Sequence, residues 1–315
     1  MRCVFSQCLN DNSLGCTPGA PPGRQRGVEE WRAVSRVLRS MWSPGRVARA
    51  VVDDLVTTFF PADCRACGSP LLRAGSPLCD ECLSGLREQS ASLCVRCGEA
   101  LDVDGVRFAG QFPREGLLCA PCRMAPPEFE RAVAYGLYED ELRQMVHLLK
   151  YEGVRTVARP LGALLARVIE KLEGNAAREL TVVAVPLFGS KQRRRGYNQT
   201  VLLADAALAE LRRTRREWKL IAAHGALRRV KDTESQFGLT PHGRRRNLSG
   251  AFEVVDPVAV SGREVLLLDD IYTTGATARE CARVLRRAGA SKVWVATLAR
   301  AQREMVTMWS ARDGT

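Results

Sequence analysis

Residues 265–277 read VLLLDDIYTTGAT. An apolar run ends on two adjacent carboxylates, Asp269 and Asp270. Small hydroxyl residues and a glycine follow: Thr273, Thr274, Gly275, Ala276 and Thr277. A helix N-terminus offers unpaired N–H groups and the positive end of the helix dipole, and both attract phosphate. Gly275 permits close backbone approach, and the threonine hydroxyls add donors. The two carboxylates repel phosphate, but they accept hydrogen bonds from sugar hydroxyls, directly or through Mg²⁺. The pattern can therefore read a sugar and a phosphate side by side. An acidic strand end followed by an ordinary N-cap would share part of it. A Walker B acid pair is rejected, because no G-x-x-x-x-G-K-[ST] is present. The nearest run, GLTPHGR at 238–244, lacks the lysine and the hydroxyl.

A second group of residues suits metal chemistry. Eight of the 12 cysteines form four CxxC pairs: Cys64 and Cys67, Cys79 and Cys82, Cys94 and Cys97, Cys119 and Cys122. Each pair can form a knuckle that points two thiolates at one ion, and two knuckles complete a tetrahedral sulfur site suited to zinc. Two structural Zn²⁺ are expected, with the knuckles paired either sequentially or crossed. Four thiolates close the shell, so no catalytic water is implied. Gly68 and Gly98 follow their pairs, where a tight turn helps. Cys3, Cys8 and Cys16 lack metal-type spacing, and Cys281, inside a helical pattern, reads as a small buried hydrophobe.

Regular elements must hold these groups. Residues 131–138 alternate as a strand, and 139–150 read as a helix with Leu142, Met145, Val146 and Leu149 on one face. Further helices are expected near 156–172 and 198–216, and strands at 181–187, 250–255, 264–270 and 292–299. A polar loop follows the strand at 181–187, and an Arg-dense loop covers 225–247. The helix at 276–288 stops at Gly289. Continuous apolar strands alternating with helices argue for a parallel sheet covered on both faces. Ligands in such sheets bind beyond the carboxyl ends of the strands, where Asp269 and Asp270 lie. Residues 1–28 carry no periodicity, whereas 46–60 read as a short amphipathic helix; Met1 and Met41 are alternative starts.

The 315 residues suffice for two domains, and 46% hydrophobic content supports a core. The apolar runs fall short of the ~18–20 residues of a membrane span, and no secretory signal is visible. A cytoplasmic protein without a membrane span is expected. The net charge of +12 is concentrated: 15 Lys and Arg against 5 Asp and Glu lie between Lys191 and Arg246. Such an excess fits an anionic partner, nucleic acid or polyphosphate, or a solvated helix face.

VLLLDDIYTTGAT resembles the phosphoribosyl pyrophosphate (PRPP) motif of type I phosphoribosyltransferases. VPLFGSKQRRRGYNQT at 185–200 and RVKDTESQFGLTPHGRRRNLSGAF at 229–252 resemble the ComF family of competence-associated proteins. The resemblance covers about residues 45–300. It implies a type I phosphoribosyltransferase-like parallel sheet flanked by helices, preceded by a small cysteine-rich zinc-ribbon module. The implied division is an N-terminal extension at 1–45, helix and double ribbon at 46–125, transferase-like domain at 128–303 and tail at 304–315. By the same resemblance Asp269 and Asp270 meet the ribose hydroxyls of Mg²⁺-PRPP, and Thr273 to Thr277 hold the 5′-phosphate. Pro186 to Lys191 form the pyrophosphate-side loop, and Arg195, Gly196, Tyr197, Asn198 and Gln199 open the next helix. Arg229, Lys231, Thr233, Gln236, Arg244 and Asn247 belong to a loop that closes over substrate. Lys150 and Tyr151 also match a family position. The implied activity is pentosyl transfer, with Lys191 and Arg195 stabilising the departing pyrophosphate. The implied setting is DNA uptake, with single-stranded DNA and competence or recombination proteins as partners. Tyr197, Trp218 and Phe237 are candidate base-stacking residues. A non-catalytic nucleic-acid-binding protein with a vestigial PRPP site is the alternative, and a structural adaptor acting through the ribbons a third.

Overall fold

A computed structural model describes residues 62–71, 76–90, 92–101, 116–232 and 248–302. The N-terminal extension, the helix expected at 46–60, Thr233, Gln236, Phe237, Arg244, Asn247 and the tail at 304–315 lie outside the described residues.

The five-stranded sheet is parallel throughout. Its strands are β1 (Arg131–Leu137), β2 (Glu179–Ala184), β3 (Lys219–Ala222), β6 (Glu264–Tyr272) and β7 (Lys292–Arg300), in spatial order β1-β7-β6-β2-β3. β4 (Leu227–Arg229) and β5 (Phe252–Val254) form a separate antiparallel pair. The central strands are apolar on both faces because both are covered. Leu266 and Leu268 pack toward the helices α3 (Asp140–Tyr151), α4 (Ala158–Glu170) and α6 (Gln199–Thr214). Val265 and Leu267 pack toward α7 (Ala276–Arg287) and the β4–β5 pair.

Three sequence expectations are corrected. The strand carrying the two aspartates does not stop at them: β6 runs on to Tyr272, because β7 continues beside it and pairs Ile271 with Ala299 and Tyr272 with Arg300. The polar loop after β2 contains a helix, α5 (Gly189–Arg195), closed by Gly196 at φ 77°. Within the Arg-dense loop, Leu227–Arg229 are the strand β4. β3 carries no apolar alternation in the sequence; only one of its four residues is buried.

The cysteine region is a structural repeat. Cys64 and Cys94 each donate N–H to a carbonyl five residues on, at 2.7 Å, and Gly68 and Gly98 return to the first cysteine carbonyl at 2.8 Å. Both glycines sit at positive φ, 76° and 71°. Short helices begin inside the later knuckles, α1 (Asp80–Ser84) after Cys79 and α2 (Ala120–Met124) after Cys119. The repeat covers the free edge of β1: Ala132 N–H donates to the Arg96 carbonyl at 2.8 Å, and Gln89 N–H to Tyr135 at 2.7 Å. An exposed edge strand would otherwise invite pairing with other chains.

Candidate functional site

Because all five strands are parallel, the carboxyl ends of β2 and β6 lie on one edge. α5, the β6–α7 loop and Arg229 of β4 gather there. Neighbouring strand residues face opposite ways, so the two aspartates are divided.

Asp270 faces α3 and α6. Its Oδ1 lies 2.8 Å from Lys150 Nζ, and its Oδ2 accepts from Gln199 Nε2 at 2.6 Å. Arg195 Nη1 donates to the amide oxygen of Gln199, and its guanidinium lies 5.5 Å from the Tyr151 ring centroid. Burial alone would lower the Lys150 pKa, but the contact with Asp270 outweighs it and raises it. Asn198 caps α6 by accepting from Thr200 N–H at 3.0 Å, which fixes Gln199 in the first turn. Gln199 stands at the opening of this helix, where the resemblance puts it, but its partner lies 71 residues away.

Asp269 faces the other way, toward Arg229 and Cys281. Burial and the charge of Asp270 push its pKa up to about 7, while Lys150 and Arg229 oppose the shift. Arg229 is lowered by burial, which its acidic neighbours Asp269 and Asp232 counter; its guanidinium lies over Phe252 at 5.4 Å. Lys191 is lowered, first by burial and then by Arg229. Asp269, Arg229, Lys191 and Arg195 therefore share one electrostatic neighbourhood. Lys231 turns away, donating to the Ser249 carbonyl at 2.9 Å. Cys281 is fully buried, as expected of a small apolar residue.

The β6–α7 loop ends on Gly275 at φ 76°, the N-cap of the 12-residue α7. A Cβ there would collide with the Tyr272 hydroxyl, so glycine is required. Thr274 Oγ1 is buried with no partner among the described residues. Such a donor is costly unless something accepts from it. The loop thus combines an unpartnered hydroxyl, a helix N-terminus and flanking carboxylates, a set that fits a phosphorylated sugar with Mg²⁺.

The cysteines resolve into two sets paired sequentially: Cys64, Cys67, Cys79 and Cys82, and Cys94, Cys97, Cys119 and Cys122. In each set the four Sγ atoms lie within 4.8 Å of one another. A tetrahedron with Zn–S bonds of about 2.3 Å has sulfur–sulfur edges of about 3.8 Å. Cys67–Cys79 and Cys97–Cys119 stand at 3.6 Å and Cys64–Cys82 at 3.8 Å, which fits structural zinc. The second set is wholly buried; in the first, Cys67 is exposed.

Two proposed stacking residues are unsuited to that role. Tyr197 is 9% exposed and donates its hydroxyl to the Leu149 carbonyl; Trp218 is 7% exposed and donates to Ala177 at 2.8 Å. The basic segment also splits. α5 and Arg229 stand at the carboxyl edge, whereas α6 carries the chain back, so residues 212–219 lie at the opposite edge. There Arg213, Arg215 and Lys219 meet Glu210, Glu170 with Glu173, and Glu179.

The fold and the two cysteine sets define a double zinc ribbon joined to a parallel α/β sheet domain. The double zinc ribbon domain family matches residues 55–123. "DNA utilization protein YhgH" of Salmonella typhimurium is 31% identical over 243 residues, covering 76% of this chain and 97% of that protein. "Competence protein F" of Haemophilus influenzae is 31% identical over 247 residues, covering 77% and 99%. "Competence protein ComFC" of Bacillus subtilis is 24% identical, covering 70% and 82%. Among solved structures, a hypoxanthine phosphoribosyltransferase from Staphylococcus aureus is similar at 17% identity and TM-score 0.25, covering 47% of this chain and 64% of that one. The chain belongs to the ComF family.

Proposed function

We propose that this chain binds Mg²⁺-PRPP at the carboxyl edge of its sheet and acts in the handling of single-stranded DNA during uptake. The observation that carries the first part is the juxtaposition of Asp269 with the β6–α7 loop, whose Thr274 hydroxyl has no partner among the described residues. Asp269 would take the ribose hydroxyls and the cation, with Asp270 beside it. Thr273 to Thr277 would take the 5′-phosphate through the α7 N-terminus. Lys191, Arg195 and Arg229, with Arg244, would take the pyrophosphate. PRPP supplies an anomeric carbon whose bond to pyrophosphate breaks through an oxocarbenium-like transition state. The chain's own part is electrostatic, placing cations where the negative charge collects.

The DNA setting is supported by the names of the relatives, which speak of competence and DNA utilization. Arg193 and Arg194, exposed on α5, supply charge at the same edge. A non-catalytic binding role is favoured by one observation: both carboxylate oxygens of Asp270 are already engaged, by Lys150 and Gln199. Ribose hydroxyls would have to compete with those two partners for the same oxygens. Paired thermal melts, one with Mg²⁺ and PRPP and one with single-stranded DNA, test the two parts separately.

A further inference from the structure

The second zinc ribbon reaches the β6–α7 loop directly. Arg300, the last residue of β7, is 2% exposed. Its Nη2 ion-pairs with Glu99 of the second ribbon, which is 6% exposed, and its Nη1 donates to the Cys97 carbonyl. The same Nη2 lies 3.7 Å from Cys97 Sγ. The guanidinium covers the Tyr272 ring at 4.4 Å, and Tyr272 is the residue whose hydroxyl abuts Gly275. A second link runs from α7: Arg279 Nη1 donates to the Ala125 carbonyl, at the end of α2, at 2.7 Å. Between the links lies a small cavity lined by Cys97 and Cys122 of the ribbon and by Thr273 and Thr274 of the loop.

A buried ion pair is a poor way to gain stability, since apolar residues of similar volume often serve better. Here the pair has an electrostatic reason to be charged. A zinc ion with four thiolates carries a net charge of −2, and Arg300 is the cation pointed at it. Loss of the metal would free Cys97, whose carbonyl and Sγ hold the guanidinium beside Glu99. The first ribbon supplies none of these contacts among the described residues.

We infer that the second zinc centre, acting through Arg300 and Tyr272, positions the phosphate loop, so that ligand binding at residues 273–277 and metal retention by Cys94, Cys97, Cys119 and Cys122 are coupled. Arg300 is a positioning residue and touches no ligand. The inference rests on the reading of the loop as a PRPP site. Coupling between sites is reciprocal, which supplies a test that does not depend on activity.

The test uses the full zinc-loaded chain. A chelator is added with and without Mg²⁺-PRPP, and pulsed alkylation followed by mass spectrometry reports each cysteine as it is released. PRPP should slow release of the Cys94–Cys122 set by roughly tenfold, a coupling of ordinary size, and leave the Cys64–Cys82 set unchanged. Arg300→Gln should keep two zinc ions, weaken PRPP binding by a similar factor and abolish the selective protection; Arg300→Lys should restore part of both. Should Arg300→Gln fail to fold, the wild-type protection pattern decides alone. PRPP binding with equal or no protection of the two sets overturns the coupling while leaving the PRPP reading intact. No binding to the wild-type chain overturns both.

Discussion

Lys150 and Asp270 form a nearly dry ion pair, with Nζ 2.8 Å from Oδ1 and side chains 14% and 6% exposed. The pair ties the end of α3 to the strand that carries the phosphate loop. Removing one partner leaves a buried charge alone, so Lys150→Met should destabilise the fold by about 3 kcal/mol. Lys150→Met combined with Asp270→Asn should recover much of that loss, the signature of direct coupling. Denaturant unfolding of the single and double variants measures it. A single-variant loss under about 1 kcal/mol would mean that the pair behaves as a surface bridge.

Asp269 should give the fold a pH dependence of its own. Its folded pKa is raised to about 7 by burial and by Asp270. A carboxyl raised on folding stabilises fully below its unfolded value and loses that contribution as pH climbs to the folded one. Stability should therefore fall between about pH 4 and pH 7 on account of this group. Asp269→Asn should flatten that decline and be the more stable protein above neutrality. Because the ionised carboxylate is the form that meets Mg²⁺, binding of Mg²⁺-PRPP should strengthen over the same interval. Parallel stability curves for the two proteins would refute the assignment.

Elemental analysis should find two zinc ions per chain. The centre with exposed Cys67 should yield to chelator before the fully buried one. Since small modules of this kind draw their folding energy from the metal, removal of both ions should unfold residues 62–123. Far-ultraviolet circular dichroism during chelation follows the event. Release of both ions in one step, or fewer than about one ion per chain, would contradict the arrangement.

Single-stranded DNA should bind the carboxyl edge. Affinity should fall with salt, with a log–log slope of about −0.7 per phosphate neutralised. Arg193, Arg194, Arg245 and Arg246 changed together to Ala should flatten the slope by roughly two units or more. Arg212, Arg213, Arg215 and Arg216 changed to Ala should leave it nearly unaltered, because they stand at the opposite edge. The reverse result would move the DNA to that edge; an unchanged slope for both sets would point to the ribbons.

What could be read from the sequence was local. The aspartate–threonine loop and the CxxC knuckles declare themselves because their partners lie within a few residues and share one chemistry. α3 is legible through the spacing of Leu142, Met145, Val146 and Leu149, all buried. α5 is not, since GSKQRRR buries no residue and has no apolar period to detect. β3 escapes for a related reason, being an edge strand with a single buried residue. Extension of β6 past two aspartates runs against strand propensity and is imposed by pairing with β7. The partners of Asp270 and Arg300 come from distant sequence, with Glu99 lying 201 residues from Arg300. Tyr197 and Trp218 misled because an aromatic residue in a basic segment looks the same in sequence whether it faces solvent or core.

The central claim is that Asp269, Asp270 and the loop after them hold Mg²⁺-PRPP, and a thermal melt tests it most directly. A ligand that binds only the folded chain, at 100 times its dissociation constant, stabilises by about 2.7 kcal/mol. For a protein of this size that corresponds to a rise in Tm of roughly 5–10 °C. Asp269→Asn with Asp270→Asn should abolish the rise, and Thr274→Val should diminish it. A wild-type protein whose Tm does not move at millimolar PRPP with Mg²⁺ would contradict the account.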